Sequence, residues 1–360
     1  MTTAVKTRII DGDGHVIEDE TLRDFLPPPY AGKNALGVGR RGLFPFVDHL
    51  HNEPVKTLPG AFNPAGPKEW AEFLEDLGIE ASVLYPSFGL ACGNISGRDW
   101  AVALCRAYND WLSETYLKAN ARFKGMALLP MQDVEEAVKE LRRAVTELGM
   151  LGAMLPGNGL PRSLGVKDYW PVYAEADRLG CCIAVHGGVH FKIGLDQMDV
   201  YPPVHALGHP FALMISCGSM VFNGVFDKFP HLRVAFLEGG VAWLLLILER
   251  FDRSYDTHIP YNPRGELLNL GEGRRVSGYL RDLIDQGRFF VGCEGEEPAI
   301  ADAVRHAGNK AFMFSSDFPH EVNTDMCRHE IGEILEHRAL TDADKKAILC
   351  ENALRFYGMS

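Results

Sequence analysis

Eight short apolar or β-branched runs, each followed by a longer stretch of helical periodicity, limit most strongly how this chain can fold. Strands are expected near residues 7–10, 81–85, 123–129, 152–155, 182–186, 233–237, 289–292 and 311–315. Between them lie amphipathic segments. In residues 134–148, Val134, Ala137, Val138, Leu141, Val145 and Leu148 fall on one helical face. Further helices are expected over 68–77, 99–117, 169–179, 211–229, 241–255, 276–286, 298–306, 326–337 and 341–349. Strands this apolar are buried on both faces, which requires a parallel sheet covered by helices. Closing eight such units gives a (β/α)8 barrel, a fold that accommodates all 360 residues as one domain, 1–360. The first connection breaks the rhythm. Residues 16–67 are rich in Pro and Gly, and a strand-one loop of that length would emerge over the C-terminal mouth as an insertion or lid.

Acidic residues outnumber basic ones 48 to 36, so nothing draws the chain to nucleic-acid phosphates or anionic lipid. The longest apolar run, 241–248, is far too short for a membrane span. The eight cysteines form no C-x-x-C pair, and Asp11 and Asp13 interrupt the N-terminus before a signal-peptide core can form. These features point to a cytoplasmic protein with free thiols and a small-molecule partner.

The ionisable residues gather where strands end. Asp11, Asp13 and His15 follow the first strand, His186 ends the fifth, Glu238 the sixth and Asp317 the eighth, while Glu294, Glu296 and Glu297 follow the seventh. Strand C-termini converge on the working face of a barrel. Alternate strand residues share a side, which puts Asp13 and His15 together. Two carboxylates and two imidazoles suit one divalent cation per chain, zinc or manganese, with an open position. Asp11 is expected to brace the turn.

Two stretches carry a family resemblance. Residues 216–234 (SCGSMVFNGVFDKFPHLRV) and Ser316-Asp317-Phe318-Pro319-His320 are similar to signatures of the amidohydrolase superfamily, in the branch of aminocarboxymuconate-semialdehyde decarboxylase and related aromatic-acid decarboxylases. The resemblance covers most of the chain and is strongest from about 180 to 320. It implies a metal held by Asp13, His15, His186 and Asp317, with Asp317 also moving protons, and a small carboxylated, aromatic or ring-derived substrate. Relatives are often homodimers. In two places this chain departs from the branch. Asp13 stands where a histidine or glutamate is usual, and Glu238 replaces a strand-six histidine that serves as an acid/base or orienting group.

That replacement favours hydrolysis, in which Asp317 or Glu238 takes a proton from a metal-activated water. Non-oxidative decarboxylation, with Asp317 protonating the ring carbon, is the alternative; a catalytically inert metal-binding relic is a third. His190, His209, Glu294 and His320 are expected to reach substrate from the mouth. His49 and His51 share the spacing of metal ligands but lie in the insertion. His186/His190 and His205/His209 have helical ligand spacing, yet Gly187-Gly188 and Pro210 argue against helix there.

Overall fold

The computed structural model describes residues 7–31, 42–50, 62–258 and 267–360. Eight strands run in chain order around one sheet: β1 Ile10–Val16, β2 Ala81–Pro86, β3 Phe123–Leu128, β4 Gly152–Pro156, β5 Cys182–His186, β6 Arg233–Leu237, β7 Phe289–Cys293 and β8 Phe312–Phe314. Each pairs with the next in parallel. Past the short β8, Asp317 N–H donates to Asp13 O (3.0 Å) and His15 N–H to Phe318 O (2.7 Å), drawing β1 and the chain after β8 together. The result is a nearly closed (β/α)8 barrel.

The helices cover it: α1 Pro67–Leu77, α2 Arg98–Leu112, α3 Val134–Thr146, α4 Trp170–Leu179, α5 Tyr201–Phe222, α6 Val225–Lys228, α7 Ala242–His258, α8 Val276–Asp285, α9 Ile300–Ala307, α10 Thr324–Glu336, and the C-terminal α11 Asp342–Lys346 and α12 Asn352–Tyr357. Local chemistry sets their limits. Asp133 caps α3 by accepting from Glu136 N–H, worth about 1 kcal/mol, and Pro at the first turn opens α1 where no N–H is needed. α12 seals the base, where the Tyr357 hydroxyl meets that of Tyr85 (2.7 Å) and donates to Gly12 O.

Two expectations need correction. The first strand begins at Ile10, where pairing with Ala81 starts, and not at residue 7. It runs on to Val16, so Asp11, Asp13 and His15 are strand residues rather than loop residues. The fifth helix begins at Tyr201, ten residues before the expected 211, and therefore carries His205 and His209. Pro202 and Pro203 suit its first turn. Pro210 costs one backbone bond, but the helix continues because Val204, Ala212, Leu213 and Cys217 are buried along it. Among the described residues α5 is the helix apolar enough to suit a bilayer by composition, with mean hydropathy 1.3, and half of that stretch is buried inside the protein.

Parts of the insertion reach the C-terminal ends of the strands. Val47 O accepts from His190 N–H (2.8 Å), Phe62 N–H donates to Pro319 O (2.8 Å), and the Phe62 ring stacks on His320. His49 Nε2 bonds Met198 O (2.6 Å). Residues 32–41 and 51–61, with His51, lie outside the described residues.

Candidate active site

β1 delivers two kinds of carboxylate. Asp11 is fully used: Oδ2 accepts from the Ser82 hydroxyl (2.5 Å) and the Ser316 hydroxyl (2.8 Å), and Oδ1 from Ser316 N–H (2.9 Å) and Asp13 N–H (3.2 Å). It ties β1 to β2 and to the chain after β8, as a brace should. Burial raises its pKa to about 6 against these bonds. Gly14 leaves the space the brace needs: a Cβ there would lie 2.4 Å from the Trp70 ring and 2.8 Å from Asp11 Oδ2.

Asp13 and His15 point into the barrel. His15 Nδ1–H donates to Pro86 O (2.8 Å), which directs the bare Nε2 at the site. That nitrogen is buried and has no hydrogen-bond partner, while Asp13 Oδ1 lies 3.5 Å away and Asp317 Oδ1 3.3 Å. His186 is set the same way. Its Nδ1–H donates to Gly187 O (2.9 Å), and its Nε2 lies 3.2 Å from Asp13 Oδ2. Carbonyl acceptors on the far nitrogens fix both tautomers, as ligating imidazoles require. Asp13, His15 and His186 form one group of mutually close donor atoms, and His15, Asp317 and His320 a second.

Asp317 is held in the left-handed region (φ +52°), as is Glu238 at the end of β6 (φ +60°). Such conformations cost about 1–3 kcal/mol each in a non-glycine residue and gather at functional sites. Burial raises the Asp317 carboxyl to about 7. His320 Nδ1 is 3.0 Å from Asp317 Oδ1 and its Nε2 2.7 Å from the Ser87 hydroxyl, with the ring stacked on His15 at 4.0 Å. Burial works against charge on His320, but the Asp317 carboxylate outweighs it and raises the imidazole to about 9. Both His320 nitrogens are thus engaged within the protein, and the pair keeps a proton near neutrality. Nothing in the sequence pointed to Ser87.

Glu238 Oε2 lies 3.3 Å from His186 Nδ1 and 3.3 Å from His209 Nδ1. Burial would raise this carboxyl, but His209, His186 and His15 hold it well below the ordinary range. The Gly240 turn is braced by Glu297, which accepts from Val241 N–H (2.5 Å) and Glu294 N–H (2.9 Å). His190 Nδ1 faces the buried Asp48 (3.3 Å) and its ring meets His209 edge-on. Glu294 lies exposed at the mouth. A small cavity lined by Asp13, Glu238, Cys293, Glu294, Ser315 and Asp317 opens above these groups. His205 lies farther out, 3.7 Å from Glu321.

The amidohydrolase family profile matches residues 10–359. The chain is 27% identical to 2-amino-3-carboxymuconate-6-semialdehyde decarboxylase of Dictyostelium discoideum, over 72% of this chain and 67% of that protein. It is 25% identical to gamma-resorcylate decarboxylase of Polaromonas sp. (strain JS666), over 89% and 99%. The fold matches the 5-carboxyvanillate decarboxylase of Novosphingobium aromaticivorans, solved with manganese and 4-hydroxy-3-methoxy-5-nitrobenzoic acid. There the TM-score is 0.73 at 20% identity, covering 98% of this chain and 97% of the other.

These relatives overturn the expectation of a metal-dependent hydrolase, since both curated ones are decarboxylases. The physical premise for hydrolysis also weakens. Although β6 carries no histidine here, α5 brings the His209 imidazole to Glu238, so the region does not lack one.

Proposed function

Because the chain belongs to the amidohydrolase family, we propose that it is a metal-dependent decarboxylase of a small aromatic or ring-derived carboxylic acid. The observation that carries this reading is the convergence of Asp13, His15, His186 and Asp317, with the buried His15 Nε2 unpartnered among them. Buried ligand-type atoms without partners suit a cation. Asp13, His15, His186 and Asp317 would hold one divalent ion. Two carboxylates among the donors, and manganese in the structural neighbour, favour manganese over zinc. When bound, the cation supplies charge neutralisation and Lewis-acid anchoring of substrate oxygens.

The protein's own groups do the rest. Asp317 lines the cavity and would give a proton to the ring carbon, and His320, whose Nδ1 lies 3.0 Å from Asp317 Oδ1, would supply that proton in turn. The C–C bond electrons stay with the ring, the carboxylate leaves as CO2, and one proton is taken up. Ser87 and His320 orient Asp317. The described parts of the insertion, around Val47 and Phe62, roof the pocket and limit water, with His190, His209 and Glu294 around the mouth. A single domain, 1–360, a cytoplasmic setting for the free thiols and a homodimer belong to the same proposal.

The test is CO2 release from 2,6-dihydroxybenzoate, 5-carboxyvanillate and related hydroxybenzoates by manganese-loaded and chelator-stripped protein. Release by the loaded protein alone is expected. Hydrolysis of amides or esters without CO2 release from any acid would reject the proposal.

A further inference from the structure

Beside the metal-ligand set lies a second group of unsatisfied atoms. Glu238 Oε2 and His209 Nδ1 are both buried and lack hydrogen-bond partners, although they stand only 3.3 Å apart. They face each other without the alignment of a direct bond. His209 is nine-tenths buried, and Glu238 lines the cavity that also holds Asp13 and Asp317. The arrangement is built. A Cβ at residue 187 would lie 2.4 Å from His209 Nδ1, so glycine there is what lets the ring approach. Glu238 itself is held at positive φ.

The two atoms have opposite hydrogen-bonding sense. A carboxylate oxygen only accepts, and an imidazole nitrogen facing a carboxylate carries its proton and donates. A hydroxyl beside the pair, within reach of both atoms, would donate to Glu238 and accept from His209, satisfying both. A carboxylate offers no proton and would meet Glu238 as a like charge.

We propose that Glu238 and His209 form a subsite for a phenolic hydroxyl of the substrate, so that the enzyme takes hydroxylated monocarboxylic acids and discriminates against a second carboxylate at that place. This rests on the decarboxylase reading above for the identity of the substrate's metal-side end. It gives the replaced strand-six histidine a physical consequence. An anionic acceptor supported by an imidazole selects a hydroxyl, where an imidazole alone would tolerate an anion.

Three inert probes test it by calorimetry on manganese-loaded protein. 2-Nitrophenol carries the nitro and hydroxyl pair alone, 2-nitroresorcinol adds a hydroxyl, and 3-hydroxy-2-nitrobenzoic acid adds a carboxylate instead. 2-Nitroresorcinol should bind about tenfold more tightly than 2-nitrophenol, the worth of a hydrogen bond to a charged group, and the acid should bind weakest. His209→Leu, which fills the space without a nitrogen, should remove the tenfold preference. His209→Asn, whose amide nitrogen can stand where Nδ1 does, should keep most of it. Manganese content, measured on the same samples, should not change. Equal binding of 2-nitrophenol and 2-nitroresorcinol, as expected if only water reaches the pair, would overturn the subsite and leave the decarboxylase reading standing. Tighter binding of the acid would also overturn it. Binding of none of the probes to the loaded protein would overturn the metal-side reading, and the subsite with it.

Discussion

The two walls of the barrel mouth are made differently. On the wall formed by β1 and the chain after β8, nearly every polar atom is committed: Asp11 accepts four hydrogen bonds, Asp13 O and Phe318 O receive backbone donors, and His320 uses both nitrogens. His15 Nε2 and Ser315 Oγ, both facing the cavity side, are the unpartnered atoms there. On the wall formed by β5, β6 and the start of α5, unpartnered atoms recur: His190 Nε2, His209 Nδ1 and Glu238 Oε2. A buried polar atom left unpaired costs about 1–3 kcal/mol, so a chain keeps several together only where something else fills them. The first wall is a rigid holder, and the second is shaped to receive.

The largest effects should come from the groups of both walls that would hold the metal. Asp13→Ala or His186→Ala should lower manganese content from about one ion per chain to near zero and abolish CO2 release, read by elemental analysis and gas detection. Asp317→Asn keeps the shape but cannot give a proton, and should slow turnover by roughly 10²–10⁴-fold. Wild-type turnover in that variant would remove Asp317 from the chemistry.

Next in size is a pH effect. In the free protein, burial opposes charge on His186, but Asp13 outweighs it and raises the imidazole to about 9. Below that pH a proton must leave before the nitrogen can bind a cation. Manganese affinity should therefore fall as pH falls, by about tenfold per unit for one displaced proton. Titrations at several pH values check this, and a flat profile would mean that His186 is not a ligand.

Smaller still is the brace. Asp11→Ala removes the shared acceptor of four donors and should cost about 3 kcal/mol in denaturant unfolding, with manganese still bound at saturation. If the same variant kept its stability and lost its metal, the division between brace and ligand would fail. Far from both walls, Asp133→Ala should cost only about 1 kcal/mol through the cap of α3 and leave metal and turnover alone.

Much of this was legible in the sequence because period and position carry it. Apolar runs such as 182–186 and 233–237 mark strands, and polar residues that end them mark the mouth. The structure does bring Asp13, His15 and His186 together, as alternation along β1 and the strand-five terminus suggest. The rest depended on long-range geometry. Pro210 reads as a helix breaker, so the placement of His209 against Glu238 was invisible until packing showed that α5 runs through it. Ser87 and Asp48 have no local signal; each matters only through a histidine more than a hundred residues away. The strained backbone of Glu238 and Asp317 has no signature in residue type. The expectation of hydrolysis rests on one missing strand-six histidine; the decarboxylase relatives overturn it, and His209, brought in by another element, weakens its physical premise.

The most direct test of the account is anomalous diffraction from crystals of the protein grown with manganese. A single strong peak per chain is expected in direct contact with Asp13, His15 Nε2, His186 Nε2 and Asp317, with His209 and Glu238 outside its coordination. A peak elsewhere, or one coordinated by Glu238 in place of Asp13 or Asp317, would contradict it.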